Sequence, residues 1–257
     1  MYTVQLIRVG TSEVRGPEAF RMSRWDEWVP LVFYVVLIQG LERTVLLNTG
    51  PPDDISDLNR VWQGYLGDPR AALLVEPEER LPGALERHGV HPREVDTVVL
   101  SPLSAYATGG LHHFERAQIV LSRHGWAHFM TEQGSDPTAE RSTRIPMHHL
   151  ARLVTDWWPR VRLLEDEDEV APGITTRRTG VHDRGSLSVS IATSRGTVVY
   201  SDSAYHNANI EQRHPIGLAY DLDEAHAAYE AIAGSADILL AGFDPGHLTR
   251  FPGGRIA

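Results

Sequence analysis

The chain contains no cysteine. That excludes a disulfide framework and a thiolate zinc site, so any metal would have to be held by His, Asp or Glu. It also lacks any apolar run approaching the ~20 residues a membrane helix needs. Met1 to Gly10 has neither the basic start nor the apolar core of a secretion signal. A cytoplasmic location with no membrane partner is the expectation. Positive charge is short too: 24 Lys and Arg stand against 34 Asp and Glu, a net charge of -10. Such a chain repels phosphate backbones as a whole, and nucleic acid is not an expected partner. What is present is globular material. At 257 residues and 42% hydrophobic content the chain can bury one large core, and with no repeat or linker a single domain over 1–257 is expected.

Apolar periodicity supplies the elements. Leu31 to Gln39 (LVFYVVLIQ) and Thr44 to Leu47 flank the turn-like Gly40-Leu41-Glu42-Arg43 and predict an antiparallel hairpin, ending where Gly50-Pro51-Pro52 stops any ladder. Residues 53 to 70 read as a helical or irregular insertion. Glu78 to His88 carries Leu81 and Leu85 at i, i+4 and stops at Gly89, which predicts one helix. Val95 to Leu100 and Gln118 to Leu121 read as buried strands, with a helix through Trp126 to Phe129. Gly134 to Met147 reads as a polar surface loop, and the acidic run Leu163 to Val170 as a solvated turn. Strands are expected at Thr175 to Arg178, Leu187 to Ala192, Thr197 to Tyr200 and Ile238 to Leu240, and a helix at Asp223 to Ala233.

Five motifs carry a family resemblance, one of them Tyr200-Ser201-Asp202-Ser203-Ala204-Tyr205, which resembles a segment carrying a bridging aspartate. Val45-Leu46-Leu47-Asn48-Thr49-Gly50 is a strand ending in a near Asp-Thr-Gly. Val95 to Trp126 is a strand, a loop closing on Gly109-Gly110, and a second strand. Gly180-Val181-His182-Asp183-Arg184-Gly185-Ser186 resembles a Gly-His-Thr-Pro-Gly-Ser turn, and Ile238 to Pro245 (ILLAGFDP) a strand leading to Gly-His-Asp-Pro. Together they resemble the N-acyl homoserine lactonase-like branch of the metallo-β-lactamase superfamily. The resemblance implies an α/β fold, a four-layer αββα sandwich of two mixed β-sheets flanked by helices. It also implies a dinuclear metal site, and there this chain departs from the pattern. The His-x-His-x-Asp-His positions are Pro102, Ser104, Tyr106 and Ala107, and Phe243 stands at the final histidine. His182 and Asp202 remain, with Tyr205 where lactonases assist the substrate carbonyl. Asn48 replaces a carboxylate that would orient metal-binding histidines.

A zinc pair needs several imidazole and carboxylate donors at ~2.0 to 2.2 Å. Proline, alanine and phenylalanine offer none, so neither a metal nor another cofactor is expected at these positions, and Tyr106 and Phe243 are expected to fill the space. His247, four residues beyond Phe243, would substitute only if the loop bulged back. A lone ion on His182, Asp202 and His206 stays open. The adjacent pairs His112-His113 and His148-His149 read as surface or partly buried polar residues, since neighbouring side chains point apart.

The resemblance brings Ser104, His182 and Asp202 into one cleft. His182 would act as general base toward Ser104 or a water, Asp202 would fix its tautomer, and Tyr205 or Tyr106 would donate to an oxyanion. Two functions follow. One is a metal-independent enzyme of acid/base or hydrolytic chemistry on an ester-, lactone- or amide-like small molecule. The other is an inactive member of the fold that binds a small ligand or a protein partner. Trp25, Trp28 and Trp62 are candidates for the cleft mouth or for packing, and lactonase-like relatives leave a homodimer open.

Overall fold

The computed structural model describes residues 1–133 and 143–257. Among the described residues, eleven strands form two sheets. The first is six-stranded, in the order β1 (Thr3–Arg15), β2 (Trp28–Gly40), β3 (Arg43–Leu47), β4 (Thr97–Leu100), β5 (Gln118–Ser122) and β6 (Val161–Leu164). The first three strands are antiparallel and the rest parallel. The second sheet runs β11 (Ile238–Ala241), β10 (Gly196–Ser201), β9 (Leu187–Thr193), β8 (Ile174–Arg178) and β7 (Glu167–Ala171). Only β10 and β11 are parallel there.

Alternation along β2 decides the layering. Val32, Tyr34, Val36 and Ile38 join Val189, Ile191, Val198 and Leu240 in the core between the sheets. Leu31, Phe33, Val35 and Leu37 point the other way, into the core under the helices and loops that cover the first sheet. A strand buried on both faces reads as a continuous apolar run, as β2 does. Helix Leu222–Ser235 covers the second sheet through Tyr229 and Ile232 against Val199 and Ala241. The result is the expected αββα sandwich of two mixed sheets.

The β2–β3 hairpin closes through Leu41 and Glu42, both at positive φ (51° and 57°), the two-residue turn whose twist matches its strands. The stretch 53–70 holds helix Ser56–Leu66. The helix expected at Glu78 to His88 is broken: a 3-10 turn at Pro77–Glu79 and a short helix at Gly83–Glu86 are separated by Pro82, which has no N–H to continue the ladder. The acidic run is also less turn than expected, because β6 ends at Leu164 and β7 begins at Glu167. Its side chains pair with arginines, Asp166 with Arg178 and Asp168 with Arg162. Of the expected loop at Gly134 to Met147, residues 134–142 lie outside those described, and Met147 opens helix Met147–Leu153. Among the described residues, no helix is long and apolar enough to cross a membrane.

Candidate active site

Loops leaving the carboxyl ends of β4, β8, β10 and β11 meet at a cavity of about 410 Å³. Its floor is polar, with Ser104 and Tyr106 after β4, His182 after β8 and Tyr205 after β10. Its walls are apolar: Leu31 and Phe33 from β2, Val61, Trp62 and Tyr65 from helix Ser56–Leu66, and Phe243 after β11. Of the three tryptophans considered from sequence, Trp62 lines this cavity. Trp28 lies between the guanidinium groups of Arg15 and Arg70, and Trp25 is exposed.

Glycines hold the loops. A Cβ on Gly109 would sit 2.0 Å from the Pro52 nitrogen, and one on Gly110 would sit 2.3 Å from the Thr49 carbonyl oxygen. The Gly-Gly pair therefore persists for packing against the loop after β3, whatever becomes of the ligands beside it. Asn48, at φ 64°, receives the Ser101 N–H on its side-chain oxygen (2.9 Å) and donates its amide to the Ser101 carbonyl (2.7 Å). A carboxylate at that position could not make the second bond.

Asp202 is fully buried, directly beneath the floor. Ser101 Oγ donates to its Oδ1 at 2.6 Å and Ser186 Oγ to its Oδ2 at 2.5 Å. Ser101 Oγ also accepts the Leu187 N–H, and Ser186 Oγ the Asp183 N–H, so both hydroxyl protons are committed to the carboxylate. Ser186 closes the Gly180–Ser186 turn quoted above, but no sequence pattern assigns it or Ser101 to Asp202.

His182 Nδ1 is 3.7 Å from Asp202 Oδ2, too long for a hydrogen bond, and it is buried without a hydrogen-bonding partner. The expected tautomer-fixing bond from Asp202 is thus replaced by a longer electrostatic contact. His182 Nε2 instead meets the Tyr205 hydroxyl at 3.1 Å. Burial, reinforced by Glu18 and Asp202, raises the Tyr205 pKa well above that of an ordinary phenol, so the hydroxyl keeps its proton. Tyr205 can then donate to Nε2, which leaves the ring proton on Nδ1, facing the Asp202 charge. Tyr106 is also buried and raised, its hydroxyl making no hydrogen bond of good geometry.

The family's metal pair does not fit these residues. Tyr106 and Phe243 meet at 5.8 Å between centroids, and Phe33 packs edge-on to each at 5.0 and 5.2 Å. Aromatic rings thus stand where the resemblance places metal ligands. Both Asp202 oxygens are engaged by serines. His247 points away, its Nε2 2.9 Å from the Ala241 carbonyl, and His206 Nε2 approaches the Pro30 carbonyl at 3.1 Å. Neither supplies a substitute ligand to the cavity.

Two charged residues that no sequence motif marks also line the cavity. Glu18, in the short helix Gly16–Ala19, is raised to about 7 by burial. Arg144 pairs with Asp183 at 3.7 Å and bridges by its backbone to Ser104. Burial raises the pKa of Asp183, with Arg144 opposing.

The two sheets, their strand order and the loops converging on this cavity define the metallo-β-lactamase fold. Within that fold, the sequence and structural likeness of this chain lies with the lactonase-like branch. It is 26% identical over 196 residues to an N-acyl homoserine lactonase, AiiB, of Agrobacterium fabrum, covering 70% of this chain and 65% of that one. It is 21% identical over 187 residues to an N-acyl homoserine lactonase of Bacillus cereus, covering 72% and 69%. Among solved structures it superimposes on an N-acyl homoserine lactone hydrolase carrying the product N-hexanoyl-L-homoserine at its catalytic metal center (TM-score 0.77, 19% identity, 99% and 98% covered). It also superimposes on the dizinc quorum-quenching lactonase AidC (TM-score 0.68, 14% identity, 98% and 89% covered). No family model matches the chain.

Proposed function

We propose that the chain is a lactone- or ester-directed hydrolase that works without a metal pair, with His182 and Tyr205 as its reacting groups. The observation that carries this reading is the 3.1 Å contact between Tyr205 Oη and His182 Nε2 on the floor of an apolar cavity. An acyl chain suits the walls formed by Leu31, Phe33 and Trp62, leaving the carbonyl at the polar floor.

On substrate entry the Tyr205 proton is redirected from Nε2 to the carbonyl oxygen, where it stabilises the developing oxyanion. The freed Nε2 takes a proton from water as the water oxygen bonds to the carbonyl carbon. Cleavage of the ring C–O bond follows, and the imidazolium returns its proton to the leaving alkoxide. Asp202, held by Ser101 and Ser186, stabilises the imidazolium across 3.7 Å as a positioning residue. Ser104, 8% exposed on the same floor, accommodates the water.

The engagement of Asp202 by serines also supports a second reading, a binding protein that has left hydrolysis behind. The test is ring opening of N-hexanoyl homoserine lactone by chelator-treated protein, its folding checked by circular dichroism. Turnover that survives chelation and falls about 10²-fold or more in His182→Ala and Tyr205→Phe supports the hydrolase. Turnover that appears only with added metal overturns it, and saturable binding without turnover establishes the binding protein.

A further inference from the structure

Outside the cavity, four histidines gather where the turn Leu111–His113 faces the first turn of helix Met147–Leu153. His149 is completely buried, and its Nδ1 lies 3.1 Å from the Thr108 carbonyl oxygen. A carbonyl only accepts, so Nδ1 carries the ring proton and Nε2 presents a lone pair. That lone pair faces His112 Nδ1 at 3.2 Å. A ring nitrogen of His148, which is exposed, completes a trio whose atoms all lie within 4.8 Å of one another. The expectation that neighbouring side chains point apart fails here: the His148 and His149 rings stand 4.1 Å apart between centroids, and those of His112 and His113 3.9 Å.

Two nitrogens bound to one tetrahedral ion at ~2.0 to 2.1 Å stand about 3.3 Å apart. The His112–His149 pair already has that spacing, and His148, being exposed, has the rotamer freedom to close the remaining distance. The bond from His149 to Thr108 is the kind of outer support that fixes the orientation of metal-binding imidazoles. When no ion is bound, a proton on His112 Nδ1 takes its place between the two rings; on binding, that proton moves to His112 Nε2.

We propose that His112, His148 and His149 form a site for one divalent transition ion of the zinc type. Its fourth position opens to the cleft lined by Asp53, Asp57 and Arg144. Three imidazoles and no thiolate favour such an ion over magnesium or calcium. Asp53 and His113 also gather around His112 and flank the ion without holding it. None of the three ligands occupies a position that the lactonase resemblance assigns to metal. The ion is structural: it clamps helix Met147–Leu153 to the turn after Gly109-Gly110.

The test titrates chelator-treated full-length protein with zinc chloride by calorimetry and follows thermal melting, for the parent chain and for His148→Ala, His112→Asn, Asp53→Asn and His113→Ala. His148 is exposed, so its loss leaves the fold intact. The expected result is one zinc per chain, a raised Tm, and binding weakened by about tenfold or more in His148→Ala and His112→Asn but little changed in the other two. Cobalt in place of zinc is expected to give the intense visible absorption of a tetrahedral site. Absence of saturable binding, or undiminished affinity in His148→Ala, overturns the proposal. So does loss of binding in Asp53→Asn or His113→Ala with retention in His148→Ala.

Discussion

Ser186 Oγ stands 2.5 Å from Asp202 Oδ2, while the nearest nitrogen of His182 stands at 3.7 Å. The carboxylate that the resemblance counts among the metal ligands is thus anchored by the turn after β8 and, through Ser101, by the loop after β4. Hydrogen bonds to a buried charge are among the stronger ones, about 1.5 to 3 kcal/mol each. Ser186→Ala and Ser101→Ala are each expected to destabilise the chain by about that much in urea unfolding. Asp202→Ala strands both hydroxyls and is expected to cost more than either.

Asn48 is expected to resist restoration of the family's carboxylate. In Asn48→Asp, a carboxylate oxygen would face the Ser101 carbonyl where an amide now donates at 2.7 Å. A loss of about 2 to 3 kcal/mol is expected at neutral pH, shrinking as acid protonates the new side chain. Urea unfolding at two pH values checks both parts.

Glu18 makes stability depend on pH in a defined direction. Burial raises its carboxyl from 4.5 to about 7 in the folded chain. The folded value is the higher one, so the stability attached to Glu18 is complete below the unfolded value and is lost as pH rises through about 7. Glu18→Gln is expected to flatten the fall in stability between 4.5 and about 7 by on the order of 1 to 2 kcal/mol, allowing for solvent screening in the cavity. Denaturation across that range would show an unchanged slope if the carboxyl were solvated.

Replacing Phe243 with the histidine found in the resembling family is expected to weaken the protein without creating a cavity metal site. The ring packs edge-on against Phe33, Tyr106, Tyr205 and His182. Its loss is expected to cost about 1 to 3 kcal/mol. In a His148→Ala background, Phe243→His is expected to bind no additional zinc, since Asp202 stays held by its serines and Ser104 and Tyr106 offer no imidazole. Elemental analysis and thermal melting of the double variant check the two halves.

The sequence by itself determined which atoms this protein has to work with. The double-faced apolar run of β2, the glycines at 109 and 110 and the spaced motifs of the later strands mark the sandwich. Donor chemistry is a property of residue type, so it is plain without coordinates that Pro102, Ala107 and Phe243 offer no ligand atom where the resemblance places metal ligands. Strand β1 was passed over although Val4, Leu6 and Val9 are buried along it. The broken helix around Pro82 and the paired acidic run show how local pattern yields to backbone chemistry and to neighbouring strands.

What only the tertiary structure decided is who meets whom. Ser101 and Asp202 are 101 residues apart, His149 and Thr108 are 41, and Tyr205 and His182 are 23. No local propensity encodes those meetings. They follow from strand order and from loops leaving the same edge of the two sheets. Glu18 likewise becomes a titrating group near neutrality only because its short helix is packed at the rim of a cavity built from distant segments.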